Sequence, residues 1–318
     1  MSIFKLDPAF KDYIWGGTRL RDEYGKKCDY DKVAESWELS CHKDGPSVVA
    51  DGEYKGLTLN EYIEKAGKGV LGKNCERFEN FPILIKLIDA KDNLSVQVHP
   101  DNDYAMRVEG EYGKTEMWYV VDCDEGATLL YGFKHEITKE EFARRIADNT
   151  LLEVTNAVPV KKGDVFFIKS GTLHAIGKGI LIAEIQQNSN TTYRIYDYGR
   201  VGKDGKPREL HVNKALDVTK LAPAEQYPET PVEKKDGYDI KLLSKCEYFT
   251  TYRVNVETKA ELDADENSFN SILVLEGEPV IIGGETVSAK KGESVFISAG
   301  TGKYTVEGKC TFVLTKID

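Results

Sequence analysis

Along "LSVQVHPDN", Leu94 to Asn102, the apolar residues Leu94, Val96 and Val98 alternate with Ser95, Gln97 and His99. Successive side chains of a strand point to opposite faces. A hydroxyl, an amide and an imidazole therefore share one face before Pro100 ends the run. Short strands are also predicted in "MWYVVD", "GDVFFIKSGTLHAI", "GILIAEIQQ" and "TTYRIYDY", with glycine-containing turns between them. Helical patterns are fewer. "TLNE" (Thr58 to Glu61) and "TKEE" (Thr138 to Glu141) are capping boxes ahead of amphipathic residues. Asp101 or Asn102 caps a helix in "PDNDYAMRVEG", and Gly110 stops it. "NKALDVTKL", from Asn213, is a fourth. The pattern predicts a mainly β fold, a barrel or jelly roll with helical insertions.

Near residue 221 the pattern changes. "LAPAEQYPETPVEKKDGYD" holds three prolines and several charges without periodicity, and reads as a linker or a surface crossing. A compact β-rich tail follows. The expected units are residues 1–235 and 236–318. The tail repeats an earlier segment. In "KKGDVFFIKSGTLHAI" the residues Lys161, Lys162, Gly163, Phe167, Ile168, Gly171 and Thr172 match Lys290, Lys291, Gly292, Phe296, Ile297, Gly300 and Thr301 without a gap. Self-similarity over such a period predicts a duplicated β unit. The copies differ where chemistry would sit: His174 corresponds to Lys303, and the second copy has no counterpart of the Gln97/His99 face.

The 318 residues suffice for two domains, and 41% hydrophobic with 30% charged residues is ordinary for a globular chain. No apolar run approaches the roughly 20 residues that span a bilayer, and the N-terminal segment lacks a signal-peptide pattern. Six scattered cysteines form no CxxC pair. That argues against a cysteine zinc site and fits reduced thiols in the cytoplasm, where the sequons at Asn93 and Asn190 would be idle. A net charge of −10 argues against nucleic acid as a partner. A small anionic substrate needs a local basic cluster.

Candidate chemistry comes from residues far apart in sequence. A lone histidine usually serves as a hydrogen-bonded core or surface residue. Glu116 opens an apolar strand, where a carboxylate is costly unless paired or metal-bound. Together His99, His174, Glu116 and the Gln97 amide make a four-ligand N/O set that suits zinc, while ligand type alone does not rule out Mn or Fe(II). Lys86 interrupts "FPILIKLI" and Arg194 lies inside "TTYRIYDY", so each cation sits within a strand pattern. Core packing is the default role for Trp15 and Trp37, with a substrate-facing role as the alternative.

"GDVFFIKSGTLHAI" resembles the second cupin motif, with Gly163, Gly171 and His174 in register and Lys169 replacing the usual proline. "LSVQVHPDN" resembles the Q-x-H-P signature of type I phosphomannose isomerases. "IWGGTRL", "FPILIKLIDAKDNLSVQVHPDN", "GKTEMWY" and "LHVNKALDV" resemble the short bacterial form of that family, in family order from near the N-terminus to the tail. The resemblance implies two cupin-like β units, a zinc-containing one with helical insertions and a degenerate one without metal ligands. It implies one Zn²⁺ on Gln97, His99, Glu116 and His174. It matches the family's active-site lysines to Lys86 and Lys114, and its glutamate and arginine to Glu184 and Arg194.

The activity so implied interconverts mannose 6-phosphate and fructose 6-phosphate through an enediol, in a cytoplasmic monomer or homodimer with no membrane or nucleic-acid partner. Arg194 is expected near the reacting carbons, and the lysines near phosphate or sugar hydroxyls, with Ser95 on the substrate side. Asp197 and Tyr198 are expected to orient Arg194. The base could be Glu184 with its pKa raised by burial, Lys114 with its pKa depressed by cations, or a zinc-bound hydroxide. A cupin oxygenase and a non-catalytic sugar-binding cupin are the alternatives.

Overall fold

The computed structural model describes residues 2–202 and 205–318. Four antiparallel sheets stack in layers. A six-stranded sheet runs in the order Val165–Ile168, Glu116–Cys123, Ile180–Gln187, Ile83–Ala90, Glu35–Leu39, Ala9–Lys11. A five-stranded sheet runs Tyr193–Tyr196, Val96–Val98, His174–Ala175, Thr128–Phe133, Thr155–Pro159. Side chains from their facing surfaces, among them Ile88, Trp118, Ile182, Leu129 and Ile176, form one core. This is the mainly β, cupin-type sandwich that the alternation predicted. Helices Lys139–Ala147 and Val212–Val218 cover the far side of the five-stranded sheet, where Phe142 and Ala215 pack on Val96, Val98 and Ile195.

The far side of the six-stranded sheet is covered by the tail. Met117, Tyr119, Leu181, Ala183 and Ile185 pack against Phe249, Phe269, Leu273, Phe296 and Val313. The tail therefore seals a whole sheet face. Its eight-stranded sheet packs in turn on a four-stranded one through a second core that includes Val254, Ile272 and Phe312. The strand Ile3–Asp7 belongs to the eight-stranded sheet and pairs with Ser294–Ile297. The N-terminus thus stitches both parts together. Lys26 adds a buried link: its ammonium lies 2.6 Å from Glu38 Oε1 and also donates to the Gly292 carbonyl in the tail.

Sealing both faces explains the sequence of Ile83–Ala90. Every residue of "ILIKLIDA" is buried, so apolar residues are needed on both faces. Ile83, Ile85 and Leu87 meet the tail, whereas Ile88 and Ala90 meet the inner core. Lys86 shares that inner face.

The predicted helices form. Thr58 caps Leu59–Ala66 in a complete capping box. Thr138 accepts from the Glu141 amide ahead of Lys139–Ala147, and Asp101 caps Asn102–Val108. The repeat is also structural. Val165–Ile168 pairs with Glu116–Cys123, which pairs with Ile180–Gln187. Ser294–Ile297 pairs with Asn270–Gly277, which pairs with Cys310–Lys316. Gly163 (φ 91°) and Gly292 (φ 87°) make the same turn, in a conformation that side chains with a Cβ rarely adopt. Among the described residues no helix is long and apolar enough to cross a membrane, and all six cysteines are free thiols.

Candidate active site and metal centre

Strand register builds the centre of the site. Gln97 pairs with His174 on one side and Arg194 on the other, so the three share a rung of the five-stranded sheet. Glu116 begins a strand of the opposing sheet. His99 Nε2 lies 3.2 Å from His174 Nε2 and 3.6 Å from Glu116 Oε2, and His174 Nε2 lies 3.5 Å from Glu116 Oε1. All three side chains are buried. Tetrahedral ligands on bonds of about 2.0–2.1 Å stand roughly 3.3 Å apart, so the spacing suits a small divalent ion.

The hydrogen bonds point the same way. His99 Nδ1 lies 2.9 Å from the Thr191 carbonyl, and His174 Nδ1 lies 2.8 Å from that of Thr172. Each Nδ1–H donates to a carbonyl, which turns the Nε2 lone pair inward. Burial, and for His99 also Lys114 and His174, holds the His99 pKa well below its ordinary value. Burial holds His174 near 4. Both rings are neutral at pH 7, as ligation requires. Burial, and then the Glu184 carboxylate, push the Glu116 pKa up against the pull of Lys114. Its Oε1 accepts no hydrogen bond among the described residues. A buried carboxylate oxygen left so is costly, and a cation between the imidazoles would satisfy it.

From Glu116 a row of alternating charges crosses the six-stranded sheet. Lys114 Nζ is 2.9 Å from Glu116 Oε2 and 3.6 Å from Glu184 Oε1. Lys86 Nζ is 3.3 Å from Glu184 Oε1 and 3.4 Å from Glu35 Oε2. One rung sets the order: Trp118, Glu184, Lys86 and Trp37 pair in succession across four strands. Trp118 Nε1 donates to Glu184 Oε2 at 3.0 Å, and Trp37 Nε1 to Glu35 Oε2 at 2.7 Å. Trp37 is fully buried beneath Lys86, whose ammonium stands 5.0 Å from the ring centroid.

Three sequence expectations are corrected here. Burial does raise the Glu184 pKa, but Lys114, Lys86 and the Trp118 hydrogen bond outweigh it and hold Glu184 well below the usual range. It is a fixed anion, where a carboxylate poised near neutrality was expected. The closest charged neighbours of Lys114 are carboxylates rather than the cations that its use as a base requires. Asp197 also does not hold Arg194. It holds Arg208 through Nε at 2.8 Å and Nη2 at 2.5 Å, and Arg200 through Nη2 at 2.5 Å. Arg194 instead donates from Nη1 to the Glu209 carbonyl at 2.9 Å.

These groups open on a cavity of about 240 Å³ whose lining includes Ser95, Gln97, Lys86, Lys114, Glu184, Arg194 and Trp15. Larger clefts, one along the Leu59–Ala66 helix and one beside His42, reach none of these residues. Glu35, Tyr13 and Arg208 also line the cavity and were not singled out in the sequence. A signal for Glu35 existed. Glu35-x-Trp37 and Glu116-x-Trp118 each set a carboxylate two residues before a buried tryptophan, on one strand face. Thr191, whose carbonyl fixes His99, carries no such signal.

Fold and cluster together define a cupin with a candidate metal site in a charged cavity. Family comparison narrows the class. Residues 3–126 match the model for the phosphomannose isomerase type I catalytic domain, and residues 239–317 match that for the mannose-6-phosphate isomerase cupin domain. The mannose-6-phosphate isomerase ManA of Bacillus subtilis (strain 168) is 40% identical over 312 residues, covering 98% of this chain and 97% of that one. The crystal structure of the mannose 6-phosphate isomerase from Bacillus subtilis superposes with a TM-score of 0.93 at 38% identity, covering 99% of each chain. A zinc-bound mannose 6-phosphate isomerase shares the fold at a TM-score of 0.80 and 17% identity, with both chains covered in full. The chain belongs to the type I phosphomannose isomerase family, and its enzyme class is that of the mannose-6-phosphate isomerases.

Proposed function

We propose that this enzyme interconverts mannose 6-phosphate and fructose 6-phosphate through an enediol, with one zinc ion held by Gln97, His99, Glu116 and His174. The row Glu35, Lys86, Glu184, Lys114, Glu116, leading into paired neutral imidazoles, is the observation that carries this reading. Isomerisation removes the proton at C2 and returns it at C1, while negative charge builds on the oxygens of both carbons. Zinc, when bound, supplies Lewis-acid stabilisation of that charge. Preorganised cations act in the same sense, because they need no reorganisation as charge develops.

Lys86 and Lys114 are two such cations, and Glu184 keeps both in place. Burial lowers the Lys86 pKa, but Glu35 and Glu184 more than offset this and raise it, so Lys86 stays charged. Proton transfer is assigned to Glu184 as an ionised carboxylate beside Lys114, since its Oε1 accepts no hydrogen bond among the described residues and lies 3.3 and 3.6 Å from the two ammonium groups. Arg194, with its Nε buried and without an acceptor among the described residues, is assigned to substrate oxygens, and Ser95 to the substrate side of the rim. The division into a catalytic part, residues 1–235, and a metal-free part, residues 236–318, belongs to the same proposal.

The test is a coupled assay on mannose 6-phosphate, run on purified protein with and without chelator. Activity that falls on chelation and returns with zinc supports the reading. No activity after zinc reconstitution would sink it.

A further inference from the structure

The charges in the cavity are unevenly matched. At the inner end two ammonium groups, Lys86 and Lys114, face three carboxylates, Glu35, Glu184 and Glu116. Each lysine is already flanked by two anions. At the rim, among the described residues, three guanidinium groups, Arg194, Arg200 and Arg208, gather around one buried carboxylate, Asp197. Glu209 is on the solvent side there, with its side chain 83% exposed. Desolvation, followed by the nearby Arg208 charge, lowers the Arg194 pKa. Two like charges are thus held side by side, at a cost that a bound anion would remove.

The geometry is that of an anchor rather than of a loose surface cation. Asp197 is 6% exposed and grips one edge of the Arg208 guanidinium with both oxygens. That fork fixes the plane of the group. Arg208 and Arg194 both line the cavity, with Ser95 beside them. Arg200 is directed elsewhere, to the Asn93 carbonyl.

We propose that Arg208 is the specificity-determining anchor of the substrate phosphate, binding it together with Arg194, and that Asp197 is the positioning residue that aims Arg208. This rests on the sugar-phosphate reading above and deepens it. The phosphate sits at the arginine rim, where among the described residues the guanidinium groups outnumber the carboxylates. The paired lysines at the inner end are left to the sugar oxygens and the reacting carbons. That reverses the division expected from the sequence.

The experiment uses zinc-loaded protein and two readouts, inorganic phosphate binding by calorimetry and kinetics on mannose 6-phosphate. Arg200 still holds Asp197 in Arg208→Gln, so the variant keeps a partner for that buried carboxylate. Loss of one charge-assisted bond to phosphate weakens binding by about tenfold or more. The expected result for Arg208→Gln is that rise in both the phosphate dissociation constant and KM, with the loss in KM rather than kcat. Arg208→Lys restores part of it, since an ammonium supplies charge without the fork. Asp197→Asn shifts KM in the same direction by less. Unchanged phosphate binding in Arg208→Gln overturns the proposal. Wild-type protein that binds phosphate but does not isomerise mannose 6-phosphate overturns the parent reading instead.

Discussion

The Nε2 atoms of His99 and His174 face each other at 3.2 Å, although 75 residues separate them in the chain. Both rings are held from behind by backbone carbonyls, and both are neutral at pH 7. Two buried lone pairs aimed at one point, with a carboxylate completing the triangle, make a site suited to a cation. His174→Ala is therefore expected to abolish stoichiometric zinc binding, with isomerase activity falling in parallel. Metal analysis of the purified variant checks this, and one tightly bound zinc per chain would contradict it.

Acid should act on the same pair. The His174 pKa is near 4 in the folded protein and about 6.5 when unfolded. Between these values the unfolded chain binds the extra proton, so folding stability falls as pH drops through 6.5 towards 4, and levels off below. For His174 alone the loss is about 3 kcal/mol. Denaturant unfolding of metal-free protein at pH 7 and pH 4.5 should show the decrease. Bound zinc should stay through that window and leave only as pH falls to about 4 and below, where folded His174 takes up its proton and can no longer ligate.

Gln97 sets the charge of the proposed centre. One carboxylate with three neutral ligands leaves zinc near +1, whereas Gln97→Glu would bring it near zero. The variant is expected to retain one zinc and lose turnover. Undiminished turnover with zinc bound would remove the charge argument.

Glu184 ties Lys86, Lys114 and Trp118 together. Glu184→Gln keeps the shape but loses the anion. The expected effect is a fall in kcat of roughly 10²–10⁴-fold, with hydrogen exchange at C2 falling alongside isomerisation. Exchange at the normal rate would show that the proton moves without Glu184.

Lys26 and Glu38 are buried together, both far from solvent, and Lys26 also reaches the tail at Gly292. Lys26→Met leaves a carboxylate buried without its cation, which typically costs about 3–5 kcal/mol. Urea unfolding should show a lowered midpoint. Adding Glu38→Gln should recover much of the loss, because the unpaired charge is then gone.

Most of the local structure was legible in the sequence because it depends on nearest neighbours. Thr58 and Asp101 cap helices through bonds spanning three residues. Val96, Gln97 and Val98 alternate because any strand does. The matched segments at Lys161 and Lys290 fold alike because each carries its own turn glycine. The family resemblance brought Gln97, His99, Glu116 and His174 together, and the nitrogens of the two histidines and the Glu116 oxygens do lie 3.2 to 3.6 Å apart.

The pattern of "LSVQVHPDN" determined that Gln97 and His99 share a face, and nothing about what lies opposite. Only tertiary structure decided that the face has His174 beside it on the next strand and Glu116 across from it, because the first depends on strand pairing and the second on the packing of two sheets. It alone decided the state of Glu184, where burial and two lysines act in opposite directions and the sum depends on distances of 3.3 and 3.6 Å. It likewise gave Asp197 to Arg208 rather than to Arg194, three residues away. Periodicity is a property of one strand. Charge balance is a property of everything within a few ångströms, and the chain brings those groups together only when it folds.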